Sequence, residues 1–278
     1  MLYFGYKEAE NMFIADYHTH SSYSSDSNTA MEDNIKKAIE LGLKEIAVTD
    51  HIDYDYPDLN YPFVFDYAPY KEEIENLKEK YKGKIIIRTG VEVGVQPHVH
   101  DLIADLMKNH YDFVIASTHV VDKCDLCVND FFEGKTKFMS YLGYFADVLN
   151  NVKTCDFFNV YGHLDFINRY GNFEDKKMIY SDYKFITDEI LKTLIEKGKG
   201  IEINTSGFRY GLGHTHPQFE LVKRYKELGG EIITVGSDAH VPHHITKDFD
   251  KAYKMLEEAG FEYITLFEDK KPKFVKYR

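Results

Sequence analysis

The chain has 278 residues, 44% hydrophobic and 29% charged, a globular composition rather than that of a disordered polyampholyte. Its 34 basic and 46 acidic residues leave a formal net charge of −12. That balance argues against a nucleic-acid backbone as partner, but admits an anionic small substrate if bound metals reverse the charge locally. Three cysteines exclude a disulfide framework. With no basic, apolar leader and no apolar run of membrane length, the expectation is a cytoplasmic protein without a membrane partner.

In chain order, a short apolar strand at 12–17 precedes an amphipathic helix at 31–41 that stops at Gly42. K-E-I-A-V-T-D at 44–50 reads as the second strand, followed by a loop rich in Tyr, Asp and Pro and a helix at 67–81. Strand and helix then alternate: strands at 84–92, 112–118, 156–162, 199–205 and 231–238, with helices at 98–109, 137–151, 181–197, 217–228 and 246–259. A tail strand at 262–266 comes last. Nearly continuous apolar strands between helices mean a parallel sheet covered on both faces. Seven units without a linker or charge run predict one α/β domain over 1–278, a closed seven-stranded (β/α) barrel; the doubly wound open sheet is the alternative. No glycine-rich nucleotide-binding motif follows any strand.

Chemistry-bearing residues gather at the strand ends. His18 and His20 end the first strand (D-Y-H-T-H), His51 the second (T-D-H), Glu92 the third (G-V-E-V-G), His119 the fourth (S-T-H) and His163 the fifth (Y-G-H-L-D). Asp238 and His240 end the seventh (G-S-D-A-H). In a parallel barrel these ends share one face, and residues two apart along a strand point the same way. The first and last staves of a closed barrel would then aim paired ligands at each other. Imidazoles mixed with carboxylates suit Zn, Fe or Mn, and are too nitrogen-rich for Mg or Ca alone. Asp26, in S-Y-S-S-D-S, reads either as a further ligand or as part of a polar loop capping the next helix. His98, His100, His110, His243 and His244 read as surface or capping groups. His214 and His216, in a loop before a proline and without acidic partners, are left outside the site. The pair Cys124 and Cys127 is assigned no role beyond its loop.

Together these motifs resemble the polymerase-and-histidinol-phosphatase (PHP) family, over about Ile14 to His244. The resemblance implies a distorted seven-stranded barrel and two to three divalent transition metals, Zn, Fe or Mn. His18, His20, Glu92 and Asp238 would hold the first, and Glu92, His119 and His163 the second with Glu92 bridging. Asp26, His51 and His240 would hold the third, Asp26 standing where many members carry a histidine. Y-G-H-L-D-F-I-N-R-Y and I-N-T-S-G-F-R are similar to the stand-alone histidinol-phosphate phosphatases of the family. They put Arg169 and Arg209 at the metal face as phosphate ligands.

The function implied is hydrolysis of a small phosphomonoester, foremost L-histidinol phosphate in histidine biosynthesis. A hydroxide held between metals would attack phosphorus in line, with metals and arginines neutralising the equatorial oxygens. Asp238 and His51 are the candidates for proton handling, and Asp53, Asp55 and Asp58 for meeting a cationic end of the substrate. Other phosphoesterases of the family, acting on nucleotides or phosphotyrosine, are the nearest alternatives. An amidohydrolase would offer a bridging lysine, a nuclease a basic groove, and a non-catalytic metal protein a closed coordination shell.

Overall fold

The computed structural model describes residues 13–277. Its strands are β1 (Ala15–Asp16), β2 (Glu45–Val48), β3 (His51–Ile52), β4 (Ile86–Gly94), β5 (Phe113–Ser117), β6 (Val120–Val121), β7 (Cys124–Asp125), β8 (Val160–Tyr161), β9 (Gly200–Asn204), β10 (Ile233–Gly236), β11 (Tyr263–Glu268) and β12 (Lys271–Lys276). The helices are α1 (Met31–Glu40), α2 (Tyr67–Lys80), α3 (His100–Leu106), α4 (Lys137–Thr154), α5 (Tyr180–Glu196), α6 (Ser206–Arg209), α7 (Phe219–Glu227) and α8 (Phe249–Ala259).

The main sheet runs β1-β2-β4-β5-β8-β9-β10, every pair parallel. β2 and β3 both pair with β4, so they form one stave that bends at Thr49–Asp50. The first and last staves meet: Tyr17 N donates to Val235 O at 3.1 Å and His20 N to Ala239 O at 2.8 Å. The barrel is therefore the expected seven-stave α/β form. Its strands are buried almost throughout, as parallel sheet covered by helices requires.

The helices form because apolar residues recur at helical spacing. α1 buries Met31, Ile35 and Ala38, and the buried Asn34 between them donates to His20 O at 2.8 Å, tying the helix to the first strand end. Asp66 caps α2 by accepting from Ala68 N, and Thr136 caps α4 by accepting from Met139 N. No helix of the described residues is long and apolar enough to cross a membrane.

Several boundaries differ from the sequence reading. Met12 lies outside the described residues, and β1 is only Ala15–Asp16. The fifth stave shrinks from 156–162 to Val160–Tyr161, Asn159 instead bonding Val114 N through its side chain at 2.9 Å. α8 starts at Phe249 rather than 246, because Thr246 and Asp248 adopt left-handed φ of 57° and 62°. The tail is a hairpin, β11 antiparallel to β12, and not a lone strand. It caps the amino-terminal ends of the staves: Ile233 N donates to Thr265 Oγ1, and Lys270 N to Asp112 O.

Candidate metal centre and substrate cavity

The strand ends deliver their side chains to one place. Thr19 and Ala239 pair across the closing seam, so the H-x-H after β1 and the D-x-H after β10 lie side by side. His163 and Asp238 hold positive φ, 23° and 56°. For non-glycine residues this is strained backbone, about 1–3 kcal/mol each, of the kind that collects at functional sites. Glycine is needed at 236, where a Cβ would stand 2.3 Å from Glu202 Oε1 and 2.4 Å from His18 Cβ.

Glu92, fully buried, sits at the centre. Its Oε1 lies 2.8 Å from His163 Nε2 and 3.3 Å from His119 Nε2, and accepts from Ser117 Oγ. Its Oε2 lies 3.0 Å from His18 Nε2, 3.0 Å from His51 Nδ1 and 3.5 Å from His20 Nε2. One oxygen thus faces each half of the histidine cluster. Asp238 Oδ1 lies 3.5 Å from His20 Nε2 and 3.9 Å from His18 Nε2. Asp26 Oδ2 lies 3.0 Å from His240 Nε2 and 3.8 Å from His51 Nε2, so Asp26 joins the cluster and is not merely a loop cap.

Burial opposes charge on Glu92, but His18, His51 and His119 around it hold its carboxyl well below the usual range. His20 is held neutral by burial and by the imidazoles of His240 and His51. Its ring lies against both of theirs, with centroids 4.1 and 4.2 Å away.

The donor set fits metal ions. Ligand atoms converge in the groups His18–His20–Glu92, Glu92–His119–His163 and His20–His51–His240. His20 Nε2, His51 Nδ1 and His240 Nε2 are buried without any hydrogen bond, although carboxylate oxygens stand 3.0–3.5 Å away. Buried ring nitrogens left without a hydrogen bond among carboxylates are what a coordinated cation satisfies. An outer layer orients the rings: Glu202 Oε1 lies 2.6 Å from His18 Nδ1, Asp53 Oδ1 2.8 Å from His119 Nδ1, and Ser24 Oγ 3.0 Å from His20 Nδ1. Glu202 also accepts from His163 N at 3.0 Å.

The sequence reading missed Glu202, although a lone acid inside the apolar run K-G-I-E-I-N was its signal. It also placed Asp53, Asp55 and Asp58 toward a substrate cation. Asp53 instead holds His119, Asp55 pairs with His98 at 2.7 Å, and Asp58 caps Asn60. His216 does have an acidic partner, contrary to expectation: its Nδ1 lies 2.6 Å from Asp165 Oδ1, both fully buried. Burial keeps this imidazole neutral, lowered to about 4.

A cavity of about 160 Å³ opens beside the cluster. Arg169 lines it from the turn Phe166–Arg169, its guanidinium between the rings of Phe166 (4.5 Å) and Tyr210 (3.8 Å). Nη2 donates to Ser206 Oγ at 2.6 Å and lies 3.7 Å from Asp238 Oδ2, while Nε is buried without a partner. Arg209 stands behind the same rim, its Nη1 and Nη2 donating to Ser237 O and Asp238 O at 2.7 Å, and it does not line the cavity. Cys127, expected to be inert, lines the mouth and donates to Tyr170 Oη at 3.2 Å.

Residues 16–206 match the family model described as PHP domain. The histidinol-phosphatase of Lactococcus lactis is 33% identical over 269 residues, covering 94% of this chain and 98% of the relative. A Clostridium acetobutylicum protein named probable histidinol-phosphatase is 30% identical over 253 residues, 90% of this chain and 95% of its own. The crystal structure of the L. lactis histidinol phosphate phosphatase, complexed with zinc, L-histidinol and phosphate, superposes with a TM-score of 0.88 at 32% identity. That likeness covers 94% of this chain and 98% of the other. On the strength of the matched domain and of these full-length relatives, the chain belongs to the PHP domain family.

Proposed function

We propose that the chain, acting as one barrel domain over 1–278, is a metal-dependent phosphomonoesterase that hydrolyses L-histidinol phosphate to L-histidinol and phosphate in the cytoplasm. The observation that carries the reading is a single cavity with the Glu92-centred histidine cluster on one wall and the Arg169 fork on another. The L. lactis relative, complexed with zinc, L-histidinol and phosphate, supports the same substrate here. Zinc is the first choice of metal, with iron or manganese as alternatives. His18, His20, Glu92 and Asp238 hold one ion, Glu92, His119 and His163 a second, and Asp26, His51 and His240 a third. Metals bound there would supply Lewis acidity and an activated water.

The remaining work falls to the chain's own groups. Arg169 offers a planar, permanently charged fork to two phosphate oxygens, with Arg209 adding its charge from behind the Asp238 turn. Asp238, held ionised despite its burial by His20, His18 and Arg169, receives a proton at Oδ2, and His51 is the second group placed to hold one. Phe63 and Phe166 give the cavity apolar walls.

The test is kcat/KM on a panel: L-histidinol phosphate, p-nitrophenyl phosphate, a nucleoside monophosphate, phosphotyrosine, a phosphodiester and a lactone. L-Histidinol phosphate should lead. A leading diester or lactone would overturn the monoesterase reading.

A further inference from the structure

The loop 214–218 carries His216 outside the metal cluster, yet it is tied to the segment that presents Arg169. His216 N donates to Asn204 O at 2.8 Å and Asn204 N to His216 O at 2.7 Å, which fastens the loop to the end of β9. The His216 ring reaches the segment after β8, where Nδ1 donates to Asp165 Oδ1 at 2.6 Å. Asp165 stands at the N-cap of the turn Phe166–Arg169, but its carboxylate makes no cap there. Its Oδ2 instead accepts from Gln218 N and Asn168 Nδ2, both at 2.9 Å.

The other end of the turn leads back to the same place. Arg169 Nη2 donates to Ser206 Oγ at 2.6 Å, and Ser206 N donates to Asn204 Oδ1 at 3.0 Å. These bonds close a ring, Asp165–His216–Asn204–Ser206–Arg169. The loop lies so close to α6 that a Cβ on Gly207 would stand 2.2 Å from His214 O. The ring encloses a segment that opens with His163, 2.8 Å from Glu92 Oε1, and ends with the Arg169 fork. Between them Phe166 packs on both, 4.5 Å from each. The φ of 23° at His163 is strained backbone, which persists only where its surroundings hold it. Among the described residues the one ion-pair partner of Asp165 is His216. Burial, with the charge of Arg169 added, keeps that imidazole neutral. The anchor therefore leaves the guanidinium charge free for phosphate.

We propose that the buried Asp165–His216 pair is the positioning pair of the phosphate site, fixing the segment 163–169 so that the Arg169 fork keeps one distance and angle from the metal cluster. Neither residue lines the cavity, and the pair acts through Arg169 rather than on substrate. The inference rests on the phosphomonoesterase reading and deepens it.

The test is a double-mutant cycle between His216 and Arg169 in metal-loaded protein. It is read as kcat/KM on p-nitrophenyl phosphate and as affinity for inorganic phosphate by calorimetry. His216→Ala should lower both about 10- to 100-fold, since a displaced fork misses the oxygens it should meet. In the Arg169→Ala background the same change should cost less than about twofold. His216→Asn, whose amide nitrogen can stand near the place of Nδ1, should recover most of the loss. Metal content should match the parent throughout. If His216→Ala does not fold, Asp165→Asn takes its place in the cycle with the same expectation. Equal losses in both backgrounds, no loss in either, or a loss of metal would overturn the proposal and leave the pair as packing. A parent that shows the coupling in phosphate affinity but hydrolyses no phosphomonoester fails the underlying reading alone.

Discussion

Glu45 and Glu92 are carboxylates buried at opposite ends of the barrel, 4% and 0% exposed, and their surroundings differ in kind. At the amino-terminal end, Glu45 accepts from Tyr17 Oη at 2.5 Å and from Arg88 Nε at 2.7 Å. Phe267 N donates to Tyr17 Oη at 2.8 Å, and the Tyr17 and Phe113 rings pack edge to face at 4.9 Å. Charge is matched by a permanently charged arginine, and the hydroxyl is satisfied on both sides. At the carboxyl end, Glu92 accepts one hydroxyl, Ser117 Oγ, and otherwise faces imidazoles, five of them between 2.8 and 3.5 Å away. Several of their nitrogens are buried without a hydrogen bond. The first end is complete within the polypeptide. The second is complete only with cations from outside, and this difference separates a structural buried charge from a functional one.

The sharpest way to break the contrast is Glu92→Ala. Removing the shared carboxylate should empty two metal positions and lower phosphate release by about three orders of magnitude or more, read by metal analysis and by single-turnover kinetics. Full metal content in that variant would remove its bridging role. Arg169→Ala comes next: kcat/KM for the monoester should drop roughly 10- to 1000-fold, about 1.4–4 kcal/mol of transition-state binding, with metal content unchanged. Arg169→Lys should already be impaired, because an ammonium offers no fork. Glu202→Gln should weaken metal affinity about 10- to 100-fold in a chelator competition, since the His18 ring loses its anionic partner. Tyr17→Phe, at the other end, should cost about 1–2 kcal/mol of stability in denaturant melts and leave metal content and kinetics as they are. A kinetic effect there would mean that the two ends are not independent.

The clustered positions were legible because each stands at the end of an apolar strand, where a barrel gathers them without long-range detail. Glu92, His119, His163 and the two paired motifs needed only the strand count. Partners chosen by three-dimensional packing were not legible: Glu202 meets His18 across 184 positions of sequence, and Asp165 meets His216 across 51. The tail was half legible: β11 is an apolar run, whereas β12, K-P-K-F-V-K, reads as a charged terminus until its partner is known.

The central claim is that the carboxyl end works only with the cations that its geometry calls for. The direct measurement is phosphate release from L-histidinol phosphate by protein stripped with a chelator, then by the same protein titrated with zinc. Activity should vanish on stripping and return in proportion to metal bound, saturating at two to three ions per chain. Undiminished hydrolysis by metal-free protein would contradict the account.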